Sequence, residues 1–196
     1  MGQRSQIYVS WQNDKGENVL VARYFQWNFA ERMISRARGL IEELNSNFQF
    51  NYIWSTDEFK EKIARVTEIN WDYRDIVKSC DIIKEYDEYV EDKAETSFED
   101  YVFNIQDNND GQLYIKVDVT NKKIKYGFLK YDMKSDEVMD CEEYMNWDCE
   151  NWKHNIDGRL YQTCYDNFDF IRNHAELMTT EEIDAFRSAI YDYPTF

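Results

Sequence analysis

The sequence predicts an α+β fold, with antiparallel hairpins over about 6–11/19–25 and 112–119/123–129 packed with about five helices. Three observations carry this reading. Two pairs of β-type segments flank turn-forming clusters, several longer segments repeat apolar residues at helical spacing, and no strand–helix–strand unit recurs. A doubly wound parallel sheet needs that recurrence, so the class is set aside.

The elements follow in chain order. Ile7, Tyr8, Val9 and Trp11 form one β-type run and Val19 to Tyr24 a second, with turn residues Asn13, Asp14, Gly16 and Asn18 between them. Phe29, Met33, Ala37, Leu40, Ile41 and Leu44 recur at helical spacing, so a helix over 29–44 is expected, with Asn28 and Glu31 as its capping residues. Ser55 and Glu58 are expected to open a second helix that lines up Phe59, Ile63 and Val66, and 71–83 reads as a third. A turn over 107–111 leads into Leu113, Ile115, Val117 and Val119, which alternate with polar or aromatic residues. The chain then returns through Ile124, Tyr126 and Phe128, alternating with Lys123, Lys125 and Gly127. Two further helices are expected over 159–173 and over 180–191, the latter opened by Thr179 and Glu182. One proline, Pro194, and no Gly/Ser-rich linker leave 1–196 as a single domain.

Length and composition bound the function. A chain of 196 residues with 43% hydrophobic and 17% aromatic side chains can bury a core and is not a disordered polymer. No apolar run reaches the roughly 20 residues of a membrane span. The first residues lack a basic-plus-apolar leader, and Gln6 stands where a myristoylation signal wants Ser or Thr, so the cytoplasm is the expected location.

Chemical motifs are sparse. Cys80, Cys141, Cys149 and Cys164 form no C-x-x-C pair, and only His154 and His174 exist to join them, so neither a zinc site nor a disulfide is expected. The segment 107–111 resembles a calcium loop only in composition. With Gly111 as the sixth position, Gln106 and Val117 fall where a calcium loop needs Asp and Glu. Phosphate-loop, dinucleotide and zinc-protease motifs are missing, and no cofactor is expected. A cysteine hydrolase built on Cys149 with His154, or Cys164 with His174, is the enzyme reading that the residue types allow.

Charge is the most informative property. There are 39 acidic against 23 basic side chains, a formal net charge of −16. Residues 85–110 hold ten carboxylates against Lys93, and 131–150 hold eight against Lys134, while 111–130 carry five lysines against Asp118. A helix over 85–100 would put Tyr86, Tyr89, Val90 and Ala94 on one face. Asp87, Glu91, Glu95 and Glu99 would lie on the other, flanked by Glu88 and Asp92. Four residues of helix rise about 6 Å, a step comparable with the spacing of phosphates along a nucleic-acid strand. The competing reading is a solvated acidic helix. In the second block, Asp136, Glu137, Asp140, Glu142 and Glu143 interleave with Tyr131, Tyr144, Trp147 and Trp152, which suits either an arginine-binding interface or a core.

The opening 2–9, Phe25-Gln26-Trp27, 107–115, 124–128 and Tyr144-Met145-Asn146-Trp147 resemble a group of uncharacterised bacterial and phage proteins, a resemblance that implies no activity or site residues. By composition the chain also resembles acidic phage anti-defence proteins, both anti-CRISPR and antirestriction, which mimic nucleic acid.

These features predict a non-enzymatic inhibitor. The expected partner is a basic nucleic-acid-binding protein, most concretely a CRISPR effector nuclease, contacted through Asp87, Glu88, Glu91, Asp92, Glu95, Glu99, Asp136, Glu137, Asp140, Glu142 and Glu143. Direct nucleic-acid binding is not expected of so acidic a chain. An immunity or antitoxin protein facing a cationic toxin is the alternative, since both roles need an acidic, aromatic patch. Lys116, Lys123 and Lys125 are expected to share one sheet face, with the core under the other, and to brace an acidic block.

Overall fold

Strand β1 (Arg4–Gln12) is buried from residue 5 to residue 11, on both of its faces. Such continuous burial marks a strand covered above and below. In the computed structural model, which describes residues 4–28, 30–50, 53–69, 79–92, 96–105, 111–130, 137–150, 152–155 and 158–194, β1 lies inside a six-stranded mixed sheet. It pairs antiparallel with β2 (Asn18–Gln26) and parallel with β4 (Gln112–Asp118), so Tyr8 stands between Ala22 and Tyr114. β4 pairs antiparallel with β5 (Lys123–Leu129). Short edge strands close the sheet, β3 (Ser79–Asp81) beside β2 and β6 (Glu176–Leu177) beside β5. Both expected hairpins are present. The parallel contact that joins them is new information, because alternation reports which face a residue takes and not which strand lies beside it.

The first turn is held by Asn13, whose Oδ1 accepts from the Lys15 and Glu17 amides at 3.0 and 2.9 Å. Gly16, at φ +82°, supplies the left-handed residue.

Each sheet face carries its own core. Odd positions of β1 (Ile7, Val9, Trp11) meet α1 (Glu31–Phe50), α2 (Asp57–Glu68), α5 (Cys141–Asp148), α6 (Trp152–Asn155) and α7 (Gly158–His174). On the other face Tyr8, Leu20, Ala22, Tyr114 and Leu129 meet α3 (Ile82–Asp92), the short α4 (Phe98–Asp100) with the wide turn Tyr101–Ile105, and α8 (Thr180–Tyr191). The lysine-bearing face is therefore also a core face, contrary to expectation. Tyr8, Tyr114 and Leu129 are large enough to bury helices on that side.

Several boundaries differ from the sequence reading for local reasons. Asn28 does not cap α1. It is fully buried, its amide donates to Ser5 Oγ at 2.7 Å, and its Oδ1 accepts from Arg36 Nε at 2.8 Å, so the helix starts later, at Glu31. Thr56 rather than Ser55 caps α2, accepting from the Phe59 amide at 3.2 Å. Of the helix expected over 71–83, residues 71–78 lie outside the described set and 79–81 form β3. Asp81 Oδ1 accepts from the Ile83 and Lys84 amides and starts α3 instead. The helix expected over 85–100 is not continuous either. Ser97 Oγ accepts from the Asp100 amide at 3.0 Å and opens a new turn. α5, opened by the capping box of Asp140 and Glu143, was not expected, whereas α8 begins after Thr179 with its capping box as read.

Gly111 makes the most crowded of these junctions. At φ +89°, an added Cβ would lie 2.8 Å from the Leu129 carbonyl oxygen and 2.9 Å from the Tyr144 ring. Left-handed strain and overpacking together should make Gly111→Ala destabilising by about 2–4 kcal/mol in urea unfolding. Gly16→Ala, with open space around its Cβ, should cost only the backbone strain, about 1 kcal/mol.

Candidate functional site

The second helical layer carries the acidic surface. Tyr86 is 8% exposed and stands edge-on to Phe98, Tyr101 and Tyr193, with ring centroids 5.1, 5.5 and 5.9 Å away. Tyr89 and Val90 pack beside it, so three residues at helical spacing fix the roll of α3 on the sheet. The opposite face then presents Asp87, Glu88, Glu91 and Asp92 to solvent, with Glu99 and Asp100 exposed on α4.

Among the described residues, compensation of this charge is slight. Lys84 reaches Glu88 at 3.8 Å, but both side chains are well exposed and such a pair contributes little. Arg187 of α8 lies over the Phe103 and Tyr191 rings, its side chain only 14% exposed, and reaches Asp184 at 3.9 Å. Tyr193 donates its hydroxyl to Asp87 Oδ2 at 3.0 Å; burial, then that carboxylate, push the phenol up to about 12. This bond sets the C-terminal turn, with Asp192, beside α3. The sequence held no sign of that neighbour, because 106 residues separate Asp87 from Tyr193.

The structure redistributes the residues expected at the site. Asp87, Glu88, Glu91 and Asp92 are brought together on α3, and Glu99 stands on a separate turn. Glu95 and Ala94 lie outside the described residues, so the helical step of four holds from Asp87 to Glu91 and does not run on through α3 to Glu99. In the second block Asp132, Asp136 and Tyr131 fall outside the described residues, and Glu137 is exposed. Asp140, Glu142 and Glu143 are engaged within the chain. Asp140 Oδ1 accepts from the Glu142 and Glu143 amides at 2.8 and 2.9 Å, and Glu143 returns the contact to the Asp140 amide at 2.8 Å. Arg172 of α7 donates to Asp140 Oδ2 at 2.6 Å and to Glu142 at 3.3 Å. Lys153 also reaches Glu142, at 3.2 Å. These carboxylates hold α5 onto α7. Tyr144 and Trp152 are core residues, fully buried, with Tyr144 stacked on Phe128 at 4.7 Å.

The lysines do share a face. Lys116 stands opposite Lys125, and Asp118 opposite Lys123. Their partners come from neither acidic block: Lys123 pairs with Glu176 of β6 at 2.9 Å, and Lys125 with Glu182 of α8. Lys125 therefore braces the last helix, and Lys123 the short edge strand before it.

The cysteines are poorly placed for nucleophilic work. Cys164 is 1% exposed inside the first core. His174 sits ten residues further along α7, about 15 Å on the helix axis. Its ring stacks on Phe170 at 4.1 Å. Cys149 is raised by burial, then by Glu31 and Asp148, the reverse of thiolate activation. The side chain of His154 lies outside the described set. Burial pushes the Cys80 and Cys141 thiols up to about 12. Among the described residues no group of three or more His, Cys, Asp or Glu side chains is arranged to hold a metal ion, and no helix is long and apolar enough to cross a membrane.

No protein-family model, curated protein or solved structure matches the chain.

The lysine braces give a measurable expectation. Glu182 is lowered, first by its hydrogen bond from Lys125, so its contribution is complete above the ordinary value of 4.5 and is lost as pH falls through the lowered one. Lys125 is raised by the same bond, so its contribution is complete below 10.5 and is lost as pH rises through the raised value. The Lys123→Gln, Lys125→Gln double variant should melt about 2–4 °C below the parent at neutral pH, the size expected of two partly exposed pairs. The difference should shrink when the melts are repeated at successively lower pH below the ordinary glutamate range, as Glu182 protonates.

Proposed function

We propose that this protein is a non-enzymatic inhibitor that docks its acidic helical layer into the basic groove of a nucleic-acid-handling partner. In its most concrete form it is a phage anti-defence protein blocking a CRISPR effector nuclease in the host cytoplasm. The observation that carries the reading is the α3 face: Asp87, Glu88, Glu91 and Asp92 exposed together, backed by Tyr86, Tyr89 and Val90, with Lys84 the one cation paired on that helix among the described residues. Like charges at this spacing weaken an isolated helix by a few tenths of a kcal/mol per pair. The aromatic rear offsets that cost and holds the carboxylates on a fixed surface.

The chemistry of such a face is electrostatic. Carboxylates projecting from a rigid helix stand in for phosphates before lysine- and arginine-lined walls, and the field of a −16 chain steers the encounter. Association should then be fast and fall steeply with ionic strength. The channel would be occupied without any bond being made or broken, so neither a nucleophile nor a cofactor is needed.

The test uses a triple variant, Glu88→Lys, Glu91→Lys and Asp92→Lys, which leaves the Asp87–Tyr193 contact alone. A tagged parent is used to capture its partner from the native host, and the association rate is then measured for parent and variant over a range of salt. Circular dichroism should show the fold retained while the rate falls about tenfold or more. Undiminished association would overturn the assignment of this face. Capture of a cationic toxin in place of a nucleic-acid-handling protein would overturn the anti-defence reading in favour of immunity.

A further inference from the structure

The two helical layers come closest to each other at the outer edge of β2. β3 pairs with that edge from Arg23 to Phe25 and ends at Asp81, where the chain turns into α3. Residues 18–22, the first half of β2, have no strand beside them on that side among the described residues. A cavity of about 260 Å³ lies along this stretch. Asn18, Val19 and Leu20 form its floor. The start of α2 supplies one wall through Trp54, Asp57 and Lys60, and Ile83 of α3 with Tyr193 supplies the other.

The register fixes which backbone groups face this cavity. The Asn13 amide donates to the Glu17 carbonyl at 2.9 Å, so that pair closes the β1–β2 ladder with a hydrogen bond. Bonded and non-bonded pairs alternate in an antiparallel ladder, which directs the backbone of Val19, Val21, Arg23 and Phe25 towards β1. The far side of β1 agrees: Gln6, opposite Tyr24, donates its amide to the Gly111 carbonyl at 3.3 Å, away from β2. Asn18, Leu20, Ala22 and Tyr24 therefore turn their N–H and C=O groups outward. Tyr24 meets Cys80 of β3 there. Asn18 and Leu20 find no backbone partner on that side among the described residues.

Nothing in this stretch keeps another strand away. Exposed edges are usually guarded by a charge, a proline or a bulge. Residues 18–22 contain neither a charge nor a proline, and their pairing with β1 runs on without a bulge. Leu20 is 4% exposed, so its unpaired amide and carbonyl reach solvent chiefly through the cavity. Backbone groups so placed are seldom left without a partner. Charge gives the site a sign as well. Glu17 and Asp57 are exposed around the cavity, against Lys60 among the described residues that line it.

An edge that offers donors and acceptors at alternate residues is complementary to an extended peptide, whose main chain offers the same groups in the same alternation. Cationic side chains on that peptide answer Glu17 and Asp57, and Val19, Trp54 and Ile83 give apolar contact to the residues between them. A second copy of this chain is a poor occupant, because two bodies of charge −16 repel. We propose that residues 18–22 are a docking edge, on which an extended basic segment of a protein partner adds a strand beside β2, beyond the end of β3. This contact is separate from the carboxylates of α3 and does not depend on them.

The full chain, isotope-labelled, is titrated with the end-blocked pentapeptide Lys-Val-Lys-Val-Lys, following backbone amide shifts and hydrogen exchange. Its Glu-Val-Glu-Val-Glu counterpart and a lysine peptide N-methylated at every amide serve as controls. In the free chain the Leu20 amide should exchange about tenfold or more faster than those of Val19 and Val21. The lysine peptide should give saturable shifts at Asn18 and Leu20 and slow the Leu20 exchange, with both controls weaker by about tenfold or more. The double variant Glu17→Gln, Asp57→Asn keeps an oxygen to accept from Asn13 and should bind the lysine peptide about fivefold less tightly. Both positions are exposed, so the variant should fold. The proposal is overturned by a Leu20 amide as protected as that of Val21, by a lack of saturable shifts, by equal binding of either control, or by a double variant that binds as the parent does. Concentration-dependent shifts at the same amides without any peptide would overturn it in favour of pairing between two copies.

Discussion

Everything else in the structure hangs on the parallel pairing of β1 with β4. It joins two hairpins that are distant in sequence, and a buried hydrogen-bond chain sets its register. Gln6 Oε1 accepts from the Tyr8 hydroxyl at 2.8 Å and from Gln112 Nε2 at 2.9 Å, and Gln112 Oε1 accepts from the Tyr114 hydroxyl at 2.7 Å. All four residues are at most 1% exposed. A slip of one residue would turn these groups to the opposite, hydrocarbon face and leave donors and acceptors unmatched, at about 1–3 kcal/mol each. The network therefore selects one register among several that hydrophobic burial alone would allow. Burial keeps the Tyr8 and Tyr114 phenols protonated well above their ordinary range, so their hydroxyls remain donors.

This pairing also explains what could and could not be read from the sequence. Both hairpins, α7 and α8 were legible because their signals are local: alternation, apolar spacing of three and four, and the Thr179–Glu182 capping box. The β1–β4 contact was not, since no local pattern encodes which distant strand becomes a neighbour. Asn28 was misread for a related reason. Before a helical run, Asn has the form of a cap, but here Arg36, eight residues on, takes its side chain into the core. The Arg36 guanidinium then donates to the Thr67 carbonyl at 2.7 Å and lies 4.9 Å from the Phe25 ring centre. Cys80 and its neighbours continued a helical pattern in sequence and became an edge strand, paired with Arg23 to Phe25 on the outer side of β2.

Of the acidic surface, the sequence correctly marked the outward face of α3 because Tyr86, Tyr89 and Val90 share the inward one. It overextended that face through Ser97, where a hydroxyl cap outweighed the apolar spacing, and it counted Asp140, Glu142 and Glu143 as free. Charge density does not distinguish a carboxylate that faces solvent from one that caps a helix. The distinction is made by Arg172, which reaches across 32 residues to Asp140.

The placement of cations turns this into a functional asymmetry. Arg23 pairs with Glu68, Arg36 is fully buried, Arg172 binds the start of α5, and Lys123 and Lys125 hold β6 and α8. Each of these cations sits where it joins two elements. Among the described residues, the ion pair on α3 is Lys84 with Glu88, and Asp87, Glu91 and Asp92 stay exposed on the same helix. One side of the sheet thus carries, over an aromatic base, the exposed carboxylates of α3. The strand ends differ, since Lys116 and Asp118 project directly from the sheet and carry charges of both signs.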